Sequence, residues 1–222
     1  DADALALLER NVRREVAGRA ARLRTLARLI ADNTQIVATL AQPGLPGDEA
    51  FAVIDRLAGP GAPTDLSVTV NGPDGQVVAW RGRPASLPPQ RLNGPATVFI
   101  APGPTGLRLV HVEPVTQAKT GRRLGAVSAE QVIGAFPGGA GTAGDALLEA
   151  SPVSVSVYLR AVPVTPPSGL ATFGVAAAGG EPLFTATVPL GAPGLAREAL
   201  RAEVSGIVAL CFALTLAALA VG

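Results

Sequence analysis

Residues 66–80 read LSVTVNGPDGQVVAW and mark the point where the chain changes from a helical to a strand pattern. Apolar and polar side chains alternate over residues 66–70, and a second apolar run covers residues 76–80, with NGPDG between them. Since successive side chains of a strand point to opposite faces, this pattern predicts an antiparallel hairpin with a five-residue connection.

The sequence before the hairpin predicts a long helix over residues 1–31, where apolar residues recur at spacings of three and four. Glu9 and Glu15 stand four residues before Arg13 and Arg19, the favourable order for ion pairs on a helix. The seven arginines of this segment suggest either a patch for an anionic lipid or ligand, or a solvated helix face. Their interspersion with acids favours the solvated face.

Two shorter helices are predicted between the long helix and the hairpin. Asn33 and Thr34 are expected to end the first helix and cap the next, because their side chains satisfy free backbone groups. A third helix is expected after Gly47, with Asp48 as its N-cap, and GPGAP at residues 59–63 should end it.

The sequence after the hairpin predicts more strands, separated by a proline-rich loop at residues 83–95 and a small-residue linker at 136–150. The linker includes a possible short helix at residues 146–149. Strands are predicted at residues 96–101, 107–114 and 123–129, and then at 153–162, 170–177 and 182–189. The second group forms either a second module or an extension of the first sheet.

The last stretch, residues 204–222 (VSGIVALCFALTLAALAVG), contains no charged side chain. A helix of this length rises roughly 28 Å, enough to cross the hydrocarbon core of a bilayer. A buried core helix is the alternative, but the segment is apolar all round, which favours a transmembrane helix continuing from a helix at residues 195–203. We therefore expect the extracytoplasmic piece of a larger membrane protein, cut at both ends.

Composition narrows the class of partner. The net charge of +1 gives no reason to expect nucleic acid. The one cysteine, Cys211, lies in the predicted span, so the rest of the chain can form no internal disulfide and no cysteine-based metal site. This composition suits an oxidising compartment such as a periplasm.

Three segments together resemble the extracytoplasmic Cache sensor domains, which are PAS-like. They are ARLIADNTQIVATL at residues 27–40, the hairpin at 66–80, and LVHVEPVTQAKTGRRLGAVSAEQVI at 109–133. The resemblance covers about residues 5–135. It implies a place outside the membrane in sensor histidine kinases, chemoreceptors or cyclic-dinucleotide enzymes. It also implies a ligand pocket on one sheet face under the loops, a dimer formed partly through the long helix, and a signal passed through the helices.

The chain departs from this family at the ligand site. Cache domains that bind amino acids use a set of Tyr, Trp, Arg and Asp side chains. Here Trp80 is followed by Arg81, but the Tyr and Asp partners are missing, and Tyr158 lies outside the matched segments. The resemblance therefore does not support an amino-acid ligand.

The one histidine, His111, shares a strand face with Glu113. It has no His or Cys partner for a metal and no evident nucleophile to activate. We favour a half-buried strand residue bonded to a backbone carbonyl over a ligand-binding role. If a pocket exists, the polar groups expected to line it are Arg81, Arg83, His111 and Glu113. Arg81 and Arg83 directly follow a strand, where a guanidinium can pair with a carboxylate, although solvent-facing loop positions are favoured.

Residues 139–144 (GAGTAG) match a dinucleotide-binding pattern, but they lie in a Pro-Gly-Gly linker without a surrounding βαβ unit. Paired carboxylates, G-x-S-x-G and H-E-x-x-H motifs are missing from the sequence. We therefore predict no catalytic residue, no metal and no cofactor, and no enzymatic activity for this segment.

Together these patterns predict an α+β fold with four regions. They are a helical region (1–60), a PAS-like antiparallel sheet of about five strands (61–135), a linker and membrane-proximal β segment (136–190), and a connecting helix with the span (191–222). We expect a signal-sensing region at the inner membrane, with residues 1–203 periplasmic, a small solute as ligand and a homodimer. A ligand-free structural or partner-sensing module is the alternative, and a membrane-anchored enzyme is the least favoured.

Overall fold

The long first helix packs across one face of an antiparallel sheet in a computed structural model that describes residues 2–42, 47–135, 146–148, 155–158 and 169–190. The predicted α+β class is confirmed for these residues. Helices α1–α4 span Ala2–Ala31, Thr34–Ala41, Asp48–Ala58 and Pro89–Leu92. Strands β1–β9 span Leu66–Asn71, Val77–Arg81, Thr97–Pro102, Gly106–Thr116, Arg123–Ala135, Ala146–Leu148, Ser156–Tyr158, Leu170–Ala176 and Pro182–Pro189.

Helix α1 has the amphipathic character that its sequence predicts. Val12, Val16, Leu23, Ala27 and Ile30 are buried, and they follow one another at three, four or seven residues, which places them on one side of the helix. Both predicted ion pairs are confirmed, Arg13 to Glu9 at 2.7 Å and Arg19 to Glu15 at 2.8 Å. The Arg13–Glu9 pair is exposed, whereas Arg19 is largely covered by the sheet, and such i,i+4 pairs contribute a few tenths of a kcal/mol each.

The caps of the next two helices differ. Asn33 caps α2 as predicted, since its Oδ1 accepts a hydrogen bond of 3.0 Å from the backbone N–H of Gln35. The prediction of Asp48 as the N-cap of α3 is wrong, because Gly47 holds that position and Asp48 begins the helix. Asp48 still lies in the first turn, where a carboxylate favours the positive end of the helix dipole.

Five strands form the first part of the sheet in the order β2-β1-β5-β4-β3, all antiparallel. β1, β5 and β4 are central, whereas β2 and β3 are edges of this part. The hairpin pairs Thr69 with Trp80, and β4 pairs His111 with Ala129 of β5. The sequence-local hairpin therefore lies at one side of this part, and β3–β4 at the other.

The second β segment continues the first sheet through hydrogen bonds. The end of β5 pairs with β6, β6 with β7, and β7 with the β8–β9 hairpin through β9. The described strands therefore form one hydrogen-bonded arrangement of nine strands. By its backbone hydrogen bonds, the second β segment is continuous with the first sheet. Phe173, Val175 and Leu183 of this segment share a hydrophobic cluster with Val12 and Val16 of α1.

Three local predictions need correction. The possible helix at residues 146–149 is wrong where the structure describes it, because Ala146–Leu148 pairs with the end of β5 as a strand. β5 runs to Ala135 rather than ending at residue 129, since it keeps pairing with β4 as far as Gly106. The proline-rich loop contains the short helix α4, which the sequence analysis missed.

Several predictions fall on residues outside those that the structure describes. They are the dinucleotide-like pattern at 139–144, the helix at 195–203 and the span at 204–222. Within the described ranges, no helix has both the length and the apolar character needed to cross a membrane.

Candidate functional site

Strand β4 presents different side chains to the two faces of the sheet. Every second residue of β4 faces α1, and these residues are Leu107, Leu109, His111 and Glu113. Leu107 and Leu109 belong to the hydrophobic cluster that includes α1. The alternate residues, beginning with Arg108, face the loop at residues 82–95. Each face carries one polar cluster, and both lie partly on β4.

An open groove of about 380 Å³ lies on the α1 face, at the side of the sheet formed by β3. Three parts of the chain line it. Helix α1 contributes Arg24 and Arg28, strands β3 and β4 contribute Thr97, Val98, His111 and Glu113, and the β8–β9 turn contributes Ala177, Gly179 and Glu181. Its volume falls in the range of small-molecule sites, about 300–1,000 Å³. We refer to these residues as the His111 groove.

A smaller recess of about 70 Å³ adjoins the groove. Arg24, Val98, His111 and Ala177 line both spaces. The remaining walls of the recess are small or apolar side chains, from Val16, Ala17, Ala20, Ala21, Ala176, Ala178 and Leu183. The combined space therefore has a polar, charged outer part and an apolar inner part.

His111 lies at the junction of these two spaces and is only 2% exposed. Its Nε2 lies 2.9 Å from Glu113 Oε2, whereas its buried Nδ1 has no hydrogen-bond partner in the described part of the chain. Burial lowers the pKa of His111 below its ordinary value of 6.5, and the hydrogen bond to Glu113 opposes this shift. The neutral ring therefore donates its Nε2–H to the Glu113 carboxylate. The sequence analysis expected a half-buried ring bonded to a backbone carbonyl, so both the burial and the partner differ.

The two arginines predicted to accompany His111 lie elsewhere. Arg81 ends β2 and places its Nη1 3.2 Å from Asp55 Oδ1 of α3. Arg83 is exposed, and its backbone N–H donates a 2.9 Å hydrogen bond to Ser67 Oγ. β1 and β5 separate β2 from β4, so the structure brings together only His111 and Glu113 of the four predicted residues.

The arginines that do line the groove are Arg24 and Arg28, which the sequence analysis included among the seven arginines of α1 and for which it favoured a solvated face over a patch for an anionic ligand. Both are exposed, and Arg28 Nε lies 3.6 Å from Asp32 Oδ2. They are four residues apart on α1, which places them one above the other on the same side of the helix. That spacing was visible in the sequence, but the strand beside them was not.

The other face of the sheet holds a buried ion pair. Arg108 Nε lies 3.1 Å from Glu130 Oε2, and the two side chains are 3% and 0% exposed. Arg108 Nη2 donates to Ser67 Oγ at 2.7 Å and to the carbonyl oxygen of Asp65 at 3.0 Å. The sequence analysis missed this pair. The signal that could have indicated it is a charged residue within each of two central strands, Arg108 in β4 and Glu130 in β5.

The loop at residues 82–95 covers this ion pair and is tied to it. The backbone N–H of Ala85 donates a 2.8 Å hydrogen bond to Glu130 Oε2. Arg123 donates to the carbonyl oxygens of Leu92 and of Gly94, the latter at 2.9 Å. Burial raises the pKa of Glu130 above its ordinary value of 4.5, and the contacts from Ala85 and Arg108 oppose the rise. This face is closed by the protein's own groups, whereas the His111 groove is open.

The described residues offer no group of three or more His, Cys, Asp or Glu side chains that could hold a metal ion. Comparison with protein-family models gives no match for this chain, and no curated protein matches it either. The chemistry of the site therefore has to be argued from its own geometry.

Proposed function

We propose that this chain is the extracytoplasmic signal-sensing region of a transmembrane receptor. It binds a small solute in the His111 groove and passes the signal through its terminal helices to a cytoplasmic output domain. The observation that carries this proposal is the position of the groove, which lies where α1, the β3–β4 edge and the β8–β9 turn meet. A solute bound there touches the long helix and both parts of the sheet at once.

Direct contacts tie α1 to both parts of the sheet. Arg13 Nη2 donates a 3.0 Å hydrogen bond to the carbonyl oxygen of Gly174 in β8. Arg19 Nη1 donates a 2.9 Å hydrogen bond to the carbonyl oxygen of Val132 in β5. A shift of α1 relative to the sheet therefore has to change contacts in both parts, which supports a mechanical path for the signal.

The polar character of the groove supports a solute as its occupant. Its lining includes two guanidinium groups and two carboxylates, of Glu113 and Glu181, beside a neutral imidazole. A site that only completes a core is lined by apolar groups, because an unpaired polar group costs free energy when buried. A few convergent polar groups next to an apolar recess are typical of small-molecule sites.

The test is a thermal-shift screen of the chain against carboxylates, amines, sugars and nucleobases. A solute at a hundred times its dissociation constant adds about 2.7 kcal/mol to the free energy of unfolding, which is several degrees for a chain of this size. We expect at least one hit that His111→Gln removes and Arg81→Gln keeps. Arg81 is the matched control because it lies at the opposite edge of the five-stranded part.

A ligand-free module that senses a partner or the membrane is the second candidate. The sheet face under the loop at residues 82–95 favours this candidate. There Glu130 is already paired with Arg108, the cation to which an anionic ligand would otherwise bind. A screen without any hit would favour this function over solute sensing.

A further inference from the structure

We infer that the solute of the His111 groove is a short aliphatic monocarboxylate, with its carboxylate at Arg24 and Arg28 and its carbon chain in the adjoining recess. This inference rests on the proposed function, since it names the chemical class of the solute for the same groove. It is carried by the division of the site into a charged outer part and an apolar inner part.

The outer part favours one anionic group. Arg24 and Arg28 project from successive turns of α1, about 5–6 Å apart at their Cβ atoms, and both line the groove. Guanidinium groups bind carboxylates through two parallel N–H···O hydrogen bonds, which are stronger than those between neutral groups. Arg28 is exposed and its contact with Asp32 is long, at 3.6 Å, so it is available to a second carboxylate.

The inner part favours a chain of about three carbons. The recess holds about 70 Å³, roughly half of an apolar cavity of about 150 Å³ that accepts the six carbons of benzene. Ala17, Ala20 and Ala21 of α1 form one side of it, and Leu183 closes another. Apart from Arg24 and His111, the side chains that line the recess offer no hydrogen bond, so most of its wall favours an aliphatic group over a hydroxyl or an amine.

The remaining charges of the groove disfavour a second anionic group. Glu113 and Glu181 also line it, and Glu113 is held beside the neutral His111 by the 2.9 Å hydrogen bond. A dicarboxylate would place its second charge near these acids or in the apolar recess, and both positions are repulsive or poorly solvated. A long chain would exceed the recess. The class that remains is a monocarboxylate of about four carbons in total.

Butyrate is the probe for this inference. Calorimetry of the chain with butyrate, butan-1-ol, butylamine and succinate compares four compounds with the same four-carbon skeleton at constant ionic strength. We expect butyrate to bind at least tenfold more tightly than the other three. Arg24→Gln and Arg28→Gln should each weaken butyrate about tenfold, the factor that corresponds to losing one charge-assisted hydrogen bond. Arg14→Gln is the matched control, since Arg14 is an exposed arginine of α1 outside the lining of the groove.

A second variant tests the recess separately. Ala21 is exposed and lines the recess, so Ala21→Leu should fold and fill part of the space. We expect it to weaken butyrate while leaving acetate unchanged. Ala52→Leu, at an exposed position of α3, is the control and should change neither.

The outcomes separate this inference from the proposed function. If butylamine or succinate binds as tightly as butyrate, or if neither arginine variant weakens butyrate, the monocarboxylate class is overturned. A hit of another class that His111→Gln removes would leave solute sensing intact. Failure of every compound in the broad screen would overturn both.

Discussion

Arg108 and Glu130 form an ion pair at 3.1 Å in the interior of the sheet, with side chains 3% and 0% exposed. Fixed groups of the surroundings bind both partners: Ser67 and Asp65 accept from Arg108 Nη2, and the Ala85 N–H donates to Glu130, while Arg108 Nε has only the ion-pair contact with Glu130. The pair therefore joins three segments that are distant in sequence, β1, β4–β5 and the loop at residues 82–95.

Removing only the cation of this pair should be strongly destabilising. We expect Arg108→Met to lower the free energy of unfolding by about 3 kcal/mol or more, because it leaves Glu130 buried without its counter-charge. Urea denaturation of the variant and of the unmodified chain measures this difference. The double variant Arg108→Met, Glu130→Gln should recover at least half of the loss, since the glutamine still accepts from Ala85 without a charge. A double variant no more stable than Arg108→Met would contradict this account of the pair.

Stability should fall on acidification through the titration of His111. Its folded pKa lies below the ordinary value of 6.5, chiefly because of burial, so protons bind the unfolded chain more tightly. The contribution of the neutral ring is present above pH 6.5 and is lost as the pH falls toward and through the folded pKa. Denaturation between pH 5 and pH 8 checks the slope.

The matched control for that titration is His111→Gln, which should flatten this part of the pH profile. The pKa of Glu130 is raised by burial, so its stabilising contribution is present below pH 4.5 and is lost as the pH rises through the folded pKa. The difference between the two profiles therefore isolates His111. Identical slopes in the two proteins would show that His111 does not titrate as its burial predicts.

Gly125 of β5 lies against β1 without room for a side chain. A Cβ at this position would collide with the carbonyl oxygen of Asn71 and lie 3.2 Å from Leu40 Cδ1. We expect Gly125→Ala to lower the free energy of unfolding by about 2 kcal/mol, the usual effect of overpacking. Gly174→Ala in β8 is the control, because nothing lies within 4 Å of its Cβ position. Equal denaturation midpoints for the two variants would refute this close approach.

Arg13 should couple α1 to the second β segment. Its guanidinium donates two hydrogen bonds to the carbonyl oxygen of Gly174, at 3.0 and 3.3 Å. We expect Arg13→Gln to speed amide hydrogen exchange in β8, Leu170–Ala176, by a few-fold and to leave β1, Leu66–Asn71, unchanged. Arg14→Gln, the neighbouring exposed arginine, should change neither strand. Faster exchange in both strands, or in neither, would remove Arg13 from the proposed signal path.

Local patterns predicted the elements well, since local physics decides them. The spacing of Val12, Val16 and Ile30 indicated α1, and the alternation around the NGPDG turn indicated the hairpin. The end of β5 was less predictable, because its pairing with Gly106 depends on a distant strand. The sequence of the short β6 suggests a helix, but its three residues are extended because they pair with the distant strands β5 and β7.

The site was harder to predict because strand order is not sequence order. The strand patterns place both Arg81 and His111 on predicted strands or at their ends, but they do not give the order of the strands. In the sheet, β1 and β5 lie between the two residues' strands, and Arg81 pairs with Asp55 instead. Arg24 and Arg28 look like ordinary solvated charges until β3 and the β8–β9 turn are placed beside them. Alternation could have indicated Arg108 and Glu130, but not that the loop at residues 82–95 would bury them.

The most direct test of solute binding in the groove is an NMR titration that follows two side chains. The chain contains one histidine and one tryptophan, so the His111 imidazole and the Trp80 indole each give unambiguous signals. Trp80 lies on β2, half exposed, at the opposite edge of the five-stranded part, and serves as the internal reference. A solute that stabilises the chain should shift the His111 imidazole signals and leave the Trp80 indole signal unchanged. A stabilising solute that leaves His111 unperturbed would place the binding site elsewhere and contradict the account.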